Sequence, residues 1–500
     1  MVRLAALIEA LGGASYGSTG DQVELGDVAL DSRAAGPGVL FAALPGTRTD
    51  GARFAPAALE AGAPAVLSPA RLEDLLAARD GWSNWVHPEA RSIAGRAAAL
   101  VHGEPTRALR TVAITGTNGK TTVAHLTAEL LRHLGHRPGV VGTVAVELWG
   151  GASSPATHTT PDAPELQRIL RAQVEAGGDS IVLEASSHAL DQERLAGVEL
   201  DVAVFTNLSA EHLDYHGDMD AYAAAKARIF ACVRPGGTAV VNADDPYAPR
   251  MIAAARDHGV RVVTFGTSTP SDLGATRLRV DPGGTNLTLE GMGIPQTGFR
   301  IPLVGRHNVE NALASLCVVL TLGASPLRAS EGLATLSPPP GRLEPVDVGD
   351  RGFHVLVDYA HTPDALENVL TALRRTMTQD EPVQGRILCV FGCGGERDVE
   401  KRAPMGRIAG ELSDVAYVTS DNPRGEDPDA ILRDVVAGMS SAKARVVIEP
   451  DRRIAIRAAL REARPGDLVL VAGKGHETWQ YLNNERRPFD DRCVVREELS

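Results

Sequence analysis

Lysine is scarce in this 500-residue chain. Lys120, Lys226, Lys401, Lys443 and Lys474 are the only ones among 50 Lys and Arg residues, so the other 45 are arginine. Arginine has taken nearly every position where positive charge alone suffices. A retained lysine marks a place for a compact primary amine, either as a point charge on phosphate or as a nitrogen that can lose its proton and react. Four of the five lie in unusual surroundings: GTNGKTT, YHGDMDAYAAAK, GCGGERDVEK and GKGHE. Only Lys443, in SSAKARVV, reads as ordinary surface.

Cysteine is also sparse. Cys232, Cys317, Cys389, Cys393 and Cys493 form no CxxC pair, which argues against structural zinc and a disulfide framework and fits a reducing cytosol. Cys393 lies in a Gly-rich turn and reads as a small buried residue rather than a reactive thiol. There is no positive excess. A net charge of −13 speaks against a nucleic-acid surface or an anionic membrane as the main partner. Local phosphate binding by backbone amides is still allowed. No window approaches the roughly 18 apolar residues of a membrane span, and the start MVRLAALIEALGG, broken by Glu9, makes a poor signal peptide. The expectation is a soluble, cytoplasmic protein without membrane insertion.

Five hundred residues exceed one core and imply two to four domains. Residues 1–108 are rich in Ala, Gly and Pro, with short apolar runs. From 109 to 345 strand-like runs alternate with helical ones, and Ser337-Pro338-Pro339-Pro340-Gly341 is a stiff break. The alternation restarts over 346–500. Near-continuous apolar strands separated by helices predict α/β domains with parallel sheets covered on both faces. In such sheets ligands gather outside the carboxyl ends of the strands. The runs HVLVDYAHTP, RILCVFGCGGE, VAYVTSDNPR and DLVLVAGKGHE each pass from a strand straight into polar or Gly-rich residues.

TVAITGTNGKTT (111–122) is a strand, a Gly-rich turn and a helix start. This arrangement aims amides and a helix N-terminus at phosphate, with Lys120 on the terminal phosphates and Thr121 on Mg²⁺. The usual P-loop spacing wants glycine at 114, but Ile114 stands there and the glycine is Gly116. Two further strand ends carry Glu184, in LEASSHAL, and His212, in TNLSAEHLDYHG. Beside a P-loop they suit Mg²⁺ coordination, although a lone histidine is more often structural. Lys226 follows in a helical run; a solvated helix lysine is the bland alternative. Asn308 and Asn311 of GRHNVENALA share a helix face, with capping the competitor for Asn308. Arg342 of PGRLE stands beside the stiff break. Arg397 and Arg424 can grip carboxylates bidentately and Glu477 can hold an amine, unless these residues form structural ion pairs among themselves.

Together the motifs TGTNGKTT, EASSHAL, NLSAEHLDYHG, AAAKARIF, GRHNVENALA, PGRLE, DYAHTPDAL, GCGGERD, DNPR and GKGHE, in that order, resemble the Mur ligase family. These are ATP-dependent enzymes that add amino acids to the peptidoglycan precursor. The likeness is greatest to the member adding the third residue to UDP-N-acetylmuramoyl-L-alanyl-D-glutamate, and it runs from LDSR to about residue 491.

The resemblance implies three domains: a small N-terminal α/β domain for the UDP end, a central P-loop ATPase domain with a parallel sheet, and a C-terminal Rossmann-like α/β domain. It implies Leu30, Ser32, Thr47, Arg48 and Thr49 at the UDP end. His158, Thr159, Thr160, Ser186, Gln192 and Arg194 would sit at the muramoyl-dipeptide. Gly116, Thr117, Asn118, Gly119, Lys120, Thr121 and Thr122 would bind ATP phosphates, with Asn308 and Asn311 near adenine and Arg342 and Asp358 near phosphate and ribose. Arg397, Asp421, Asn422, Pro423, Arg424, Gly473 and Glu477 would bind the diamino acid. Lys226 matches the family's carbamylated lysine, an N6-carboxylysine that would join Thr121, Glu184 and His212 around Mg²⁺. Lys120, Lys226, His212 and Arg342 would be the catalytic set, and the enzyme would act as a monomer. Three departures are visible: His158 where Asn is usual, Ala210 for a larger polar residue, and KRAPM with its proline shifted.

The implied reaction passes through an acyl phosphate, which an amine then attacks. DNPR points to meso-diaminopimelate as that amine, with L-lysine or L-ornithine the alternatives. A ligase like folylpolyglutamate synthetase is disfavoured by LDSR and DNPR. A P-loop motor is disfavoured by the acidic charge. A non-catalytic nucleotide-dependent regulator would bind nucleotide without forming an amide.

Overall fold

Runs such as RTVAIT, SIVLE and LDVAVF are buried along nearly their whole length, as β-branched strands covered on both faces must be. The structure, a computed structural model, describes residues 1–17, 23–46, 49–78, 80–156, 158–281, 283–377, 385–396, 398–483 and 485–500. The chain folds as two compact units: residues 1–273 with 313–329, and residues 274–312 with 330–500.

The first unit holds a short pair of strands, Val2–Arg3 with Glu24–Leu25, and two larger sheets. The smaller runs in the order Ala14–Gly17, Ser83–Val86, Ala65–Ser68, Val39–Ala42, Asp27–Ala29. Its pairs are parallel except for that of Ala14–Gly17 with Ser83–Val86. Trp85 and the Ala-rich helix Ala90–Val101 fill one face. In the larger sheet Pro138–Val141, Ser180–Glu184, Arg110–Thr115, Leu200–Phe205, Val233–Asn242 and Arg261–Gly266 lie side by side, all parallel. The P-loop strand Arg110–Thr115 is central, flanked by the strands that end at Glu184 and Phe205. All three therefore open at one sheet edge.

In the second unit Gly284–Gly291 pairs antiparallel with Gly298–Ile301. The main sheet runs Glu344–Val346, His354–Asp358, Leu468–Ala472, Ile387–Phe391, Val415–Val418, Arg445–Ile448, parallel except for its first strand. Helices such as Pro363–Thr376 and Arg402–Leu412 cover one face and Arg452–Glu462 the other. The motifs DYAHTP, GCGGE, DNPR and GKGHE follow four adjacent strands. Among the described residues no helix is long and apolar enough to cross a membrane.

Candidate functional site

In the first unit the loop Gly116–Gly119 joins the strand Arg110–Thr115 to the helix Lys120–His133. A Cβ at Gly116 would stand 1.8 Å from Thr206 Oγ1, and φ there is +151°. This explains the displaced glycine of the motif: the loop's close approach to the neighbouring strand end falls at 116, not 114. Asn207 Oδ1 accepts from Asn118 N (2.9 Å) and Thr206 Oγ1 donates to Asn118 O (2.6 Å). Thr117 Oγ1 lies 3.3 Å from Tyr222 Oη. The Lys120 ammonium donates to Gly116 O and Thr117 O, both at 2.9 Å.

Glu184 is 1% exposed. Its carboxylate accepts from Thr121 Oγ1 (2.9 Å), Thr143 N (2.9 Å) and Thr143 Oγ1 (3.1 Å). A hydroxyl and a carboxylate meeting at the head of a P-loop helix are hard oxygen donors of the kind Mg²⁺ takes, and Mg²⁺ completes its shell with phosphate and water. Thr121 and Glu184 therefore fit that ion. His212, at φ +55°, takes the left-handed backbone conformation, in which histidine, like asparagine and aspartate, is enriched among non-glycine residues. Its ring meets His188 edge-on at 4.8 Å and Tyr222 at 6.4 Å.

Lys226 sits on the helix Met219–Ala227 at 1% exposure. Its Nζ donates to Gly116 O at 2.7 Å and lies 4.5 Å from the Tyr222 ring centre. Burial, then the charge of Lys120, drive its pKa well below the ordinary lysine value against a weaker opposing pull from Glu211. Lys226 is thus not a solvated surface lysine. Tyr222 touches both the P-loop and Lys226, and burial raises its phenol to about 12. His216 Nε2 lies 3.0 Å from Ser187 Oγ. Burial and the neighbouring His212 lower both His188 and His216.

Thr160 Oγ1 donates to Glu184 O (2.8 Å) and accepts from Ser186 N (3.2 Å). Ser186 caps the helix Ser187–Asp191. Arg194 donates to Thr160 O (2.7 Å) and to Gln192 Oε1 (2.8 Å). Four of the residues expected at the muramoyl-dipeptide are thus one connected group next to Glu184. Thr159 Oγ1 reaches Thr143 Oγ1 at 3.1 Å, and His158 is exposed. At the N-terminal sheet Leu30 is partly buried against the core, Ser32 begins a 3-10 turn and Thr49 is exposed. Thr47 and Arg48 lie outside the described residues, as does Arg397 in the second unit.

In the second unit Asn308 Nδ2 donates to Val304 O (2.9 Å), and Asn311 Nδ2 to Asn308 Oδ1 (3.2 Å). Asp358 Oδ2 accepts from Leu343 N (2.7 Å) and Oδ1 from Ala360 N (2.8 Å). Asp358 therefore fixes the backbone beside Arg342; burial raises its pKa despite the nearby Arg342. The Arg342 guanidinium stacks 5.0 Å from the Tyr359 ring, and Tyr359 lies 5.0 Å from His476. A Cβ at Gly341 (φ +69°) would reach Gly475 C at 2.1 Å, so PGRLE packs directly on GKGHE.

The DNPR and GKGHE loops meet at Lys474, whose side chain is 0% exposed. Its Nζ donates to Trp479 O (2.6 Å), Glu477 Oε2 (3.0 Å) and Asn422 Oδ1 (3.3 Å) and lies 3.8 Å from Asp421 Oδ1. Asn422 Nδ2 donates to the same Glu477 Oε2 at 2.9 Å. Burial raises the Glu477 pKa, but Lys474, with Asn422 and His476, outweighs it and the net shift is downward. Arg424, at φ +55°, donates from Nη1 to Gly395 O (2.7 Å) and Asn422 O (3.4 Å). Glu426 belongs instead to Arg402, at 2.7 and 2.8 Å. Glu477 thus pairs with Lys474 and Glu426 with Arg402, while Arg424 spends its charge on carbonyls. Just behind, the fully buried pair Arg452–Asp491 (2.7 Å) also donates to Ala472 O and Ser420 O (3.0 and 3.5 Å), bracing the two strand ends. Cys393 is buried, its thiol pushed up to about 12 by burial.

A P-loop helix start beside a buried carboxylate places this chain in the class of nucleotide-binding α/β proteins. The sequence matches the Mur ligase middle domain over residues 114–319, the Mur ligase glutamate ligase domain over 341–475 and the Mur ligase family catalytic domain over 25–92. UDP-N-acetylmuramoyl-L-alanyl-D-glutamate–2,6-diaminopimelate ligase of Nostoc sp. is 43% identical over 95% of this chain and 94% of its own. The protein of that name from Syntrophomonas wolfei is 41% identical over 95% of each chain. A solved structure of a ligase so named, 35% identical, superposes with a TM-score of 0.73 over 99% of this chain and 98% of its own. The chain belongs to the Mur ligase family. Folylpolyglutamate synthase of Mycobacterium tuberculosis shares the fold at a TM-score of 0.57 and 22% identity, over 76% of this chain and 91% of its own.

Proposed function

We propose that this chain is an ATP-dependent amide ligase joining meso-2,6-diaminopimelate to the D-glutamate γ-carboxylate of UDP-N-acetylmuramoyl-L-alanyl-D-glutamate, in cytoplasmic peptidoglycan precursor synthesis, acting as a monomer. The observation that carries this reading is the likeness, over 95% of the chain, to relatives named for that reaction. Residues 1–108 take the UDP end, 109–345 the ATP, and 346–500 the amino acid.

A carboxylate is a poor electrophile. Its oxygen first takes the γ-phosphoryl group of ATP, releasing ADP and leaving an acyl phosphate. The amine nitrogen then attacks the acyl carbon, the tetrahedral intermediate expels phosphate, and the nitrogen loses its proton as the amide forms. Positioning and charge neutralisation supply most of the acceleration in phosphoryl transfer. The amides of Gly116–Gly119 and the Lys120 ammonium hold the phosphates. Thr121 and Glu184, with His212, would hold Mg²⁺, which would supply charge neutralisation at the transferring phosphate. Thr160, Ser186, Gln192 and Arg194 orient the dipeptide, and Asn308 and Asn311 serve the adenine side. Lys226 carries a carbamate. Its depressed pKa supports this role, since carbamylation needs a neutral amine to attack CO₂ and then lose a proton. Arg424 takes the distal carboxylate of the diamino acid and Glu477 its distal ammonium.

Phosphate release measured with meso-diaminopimelate, L-lysine and L-ornithine in turn tests the reading. Release should require both the UDP-precursor and the amino acid, and diaminopimelate should be preferred. Preference for lysine or ornithine would overturn the choice of amino acid. Phosphate release without amide formation would overturn the ligase.

A further inference from the structure

Two of the unusually placed lysines, Lys401 and Lys474, have no part in the reaction described so far. Lys401 donates to His361 O at 2.8 Å, a contact that ties a helix start to a loop. Lys474 does more. It is fully buried where two strand-end loops meet, and it engages one oxygen of Glu477, the side-chain oxygen of Asn422 and the Trp479 carbonyl together. Trp479 opens the hairpin Trp479–Leu482/Glu485–Pro488. That hairpin in turn clamps DNPR: Tyr481 N donates to Asn422 Oδ1 (3.0 Å), Gln480 Nε2 to Asp421 O (2.8 Å) and Arg424 N to Tyr481 O (3.0 Å).

We propose that Lys474 is a positioning residue that sets the stereochemical specificity for the diamino acid, by occupying Glu477 Oε2 with Asn422 and so presenting only Oε1 to the ligand's distal ammonium. The inference rests on the proposed function. Three donors could compete for Glu477, and two of them are built into the fold on the same oxygen. Among the described residues nothing hydrogen-bonds Oε1, and the Glu477 side chain is 36% exposed. With the distal carboxylate held by Arg424 and the distal ammonium restricted to one oxygen, the substituents at the distal carbon have one arrangement. The meso isomer is therefore distinguished from the LL isomer. Arginine cannot take over this role. Its planar fork does not reproduce three convergent contacts from a single nitrogen.

The test is a double-mutant cycle of Lys474→Met and Glu477→Gln, read in KM for the amino acid, kcat, and the preference for meso- over LL-diaminopimelate. Lys474→Met should raise KM for the amino acid about tenfold or more, the scale of losing one charge-assisted contact. kcat and KM for the UDP-precursor should stay within about threefold, and the meso preference should shrink. In the Glu477→Gln background the same substitution should add little. If Lys474→Met folds poorly, the double variant, in which Glu477 no longer carries a charge, still reports: its meso preference should equal that of Glu477→Gln. Equal and additive effects in both backgrounds would overturn the proposal, as would an unchanged meso preference in Lys474→Met. A wild type that takes only lysine or ornithine would instead overturn the proposed amino acid. The cycle, read in KM for that substrate, would then still show whether Lys474 acts through Glu477.

Discussion

Two lysines in this protein are equally buried but lie in opposite surroundings. Lys226, in the first unit, meets a carbonyl and an aromatic face, with the cation Lys120 nearby. Lys474, in the second, meets the carboxylates of Glu477 and Asp421. An amine taken out of water without a close anion is driven toward its neutral form, whereas one ringed by carboxylates serves as a fixed charge. The proposed roles of the two lysines, a nucleophile at 226 and a strut at 474, follow from these surroundings and not from the residue type.

The comparison can be pressed hardest at a third buried cation. Arg452 is paired with Asp491 at 0% exposure on both sides. Arg452→Met leaves Asp491 buried alone and should cost about 3–5 kcal/mol of unfolding free energy. Denaturant titration measures this, and replacing both partners with apolar residues should recover most of it. Next in size, Lys226→Ala should lower kcat roughly 10²–10³-fold, the scale of removing one charge from a phosphoryl-transfer site. Added short carboxylates should restore part of it, while no added carboxylate should help Lys474→Met. Arg424→Ala should cut the kcat/KM preference for diaminopimelate over lysine by about ten- to a hundredfold, because the distal carboxylate loses its partner.

The smallest effect is in the pH dependence of stability. Lys226 has a folded pKa below its unfolded value of 10.5, so the unfolded chain binds more protons between the two. Its contribution therefore grows as pH rises toward 10.5 and is lost as pH falls through the folded value. Thermal melts of wild type and Lys226→Met should diverge with that sign.

Much of this was legible in the sequence wherever the signal was local. The strand, glycine turn and lysine-bearing helix start of the P-loop occupy one stretch of chain, and the strands fall within a few residues of the apolar runs. Lys226 and Lys474 stood out because so few lysines exist. What they touch did not. Besides Glu477 of its own motif, the partners of Lys474 come from DNPR and from a hairpin without a motif, and Tyr222 looks like any helix tyrosine. Thr143, which gives Glu184 two hydrogen bonds, sits in an unremarkable GTVAV. The pair Arg452–Asp491 is lost among so many arginines and carboxylates. Asn308 showed both sides of this limit: its helix face was readable, but its bond to Val304 O depends on the turn before the helix. The contacts of Thr143 with Glu184 and of Arg452 with Asp491 join residues that only the tertiary fold brings together.

The contrast between the two lysines is tested most directly by ¹³C NMR of the protein equilibrated with ¹³C-bicarbonate at neutral to mildly alkaline pH. The account predicts a single carbamate resonance, lost in Lys226→Ala and retained in Lys474→Met. A spectrum without that resonance, or one in which it survives Lys226→Ala, would contradict it.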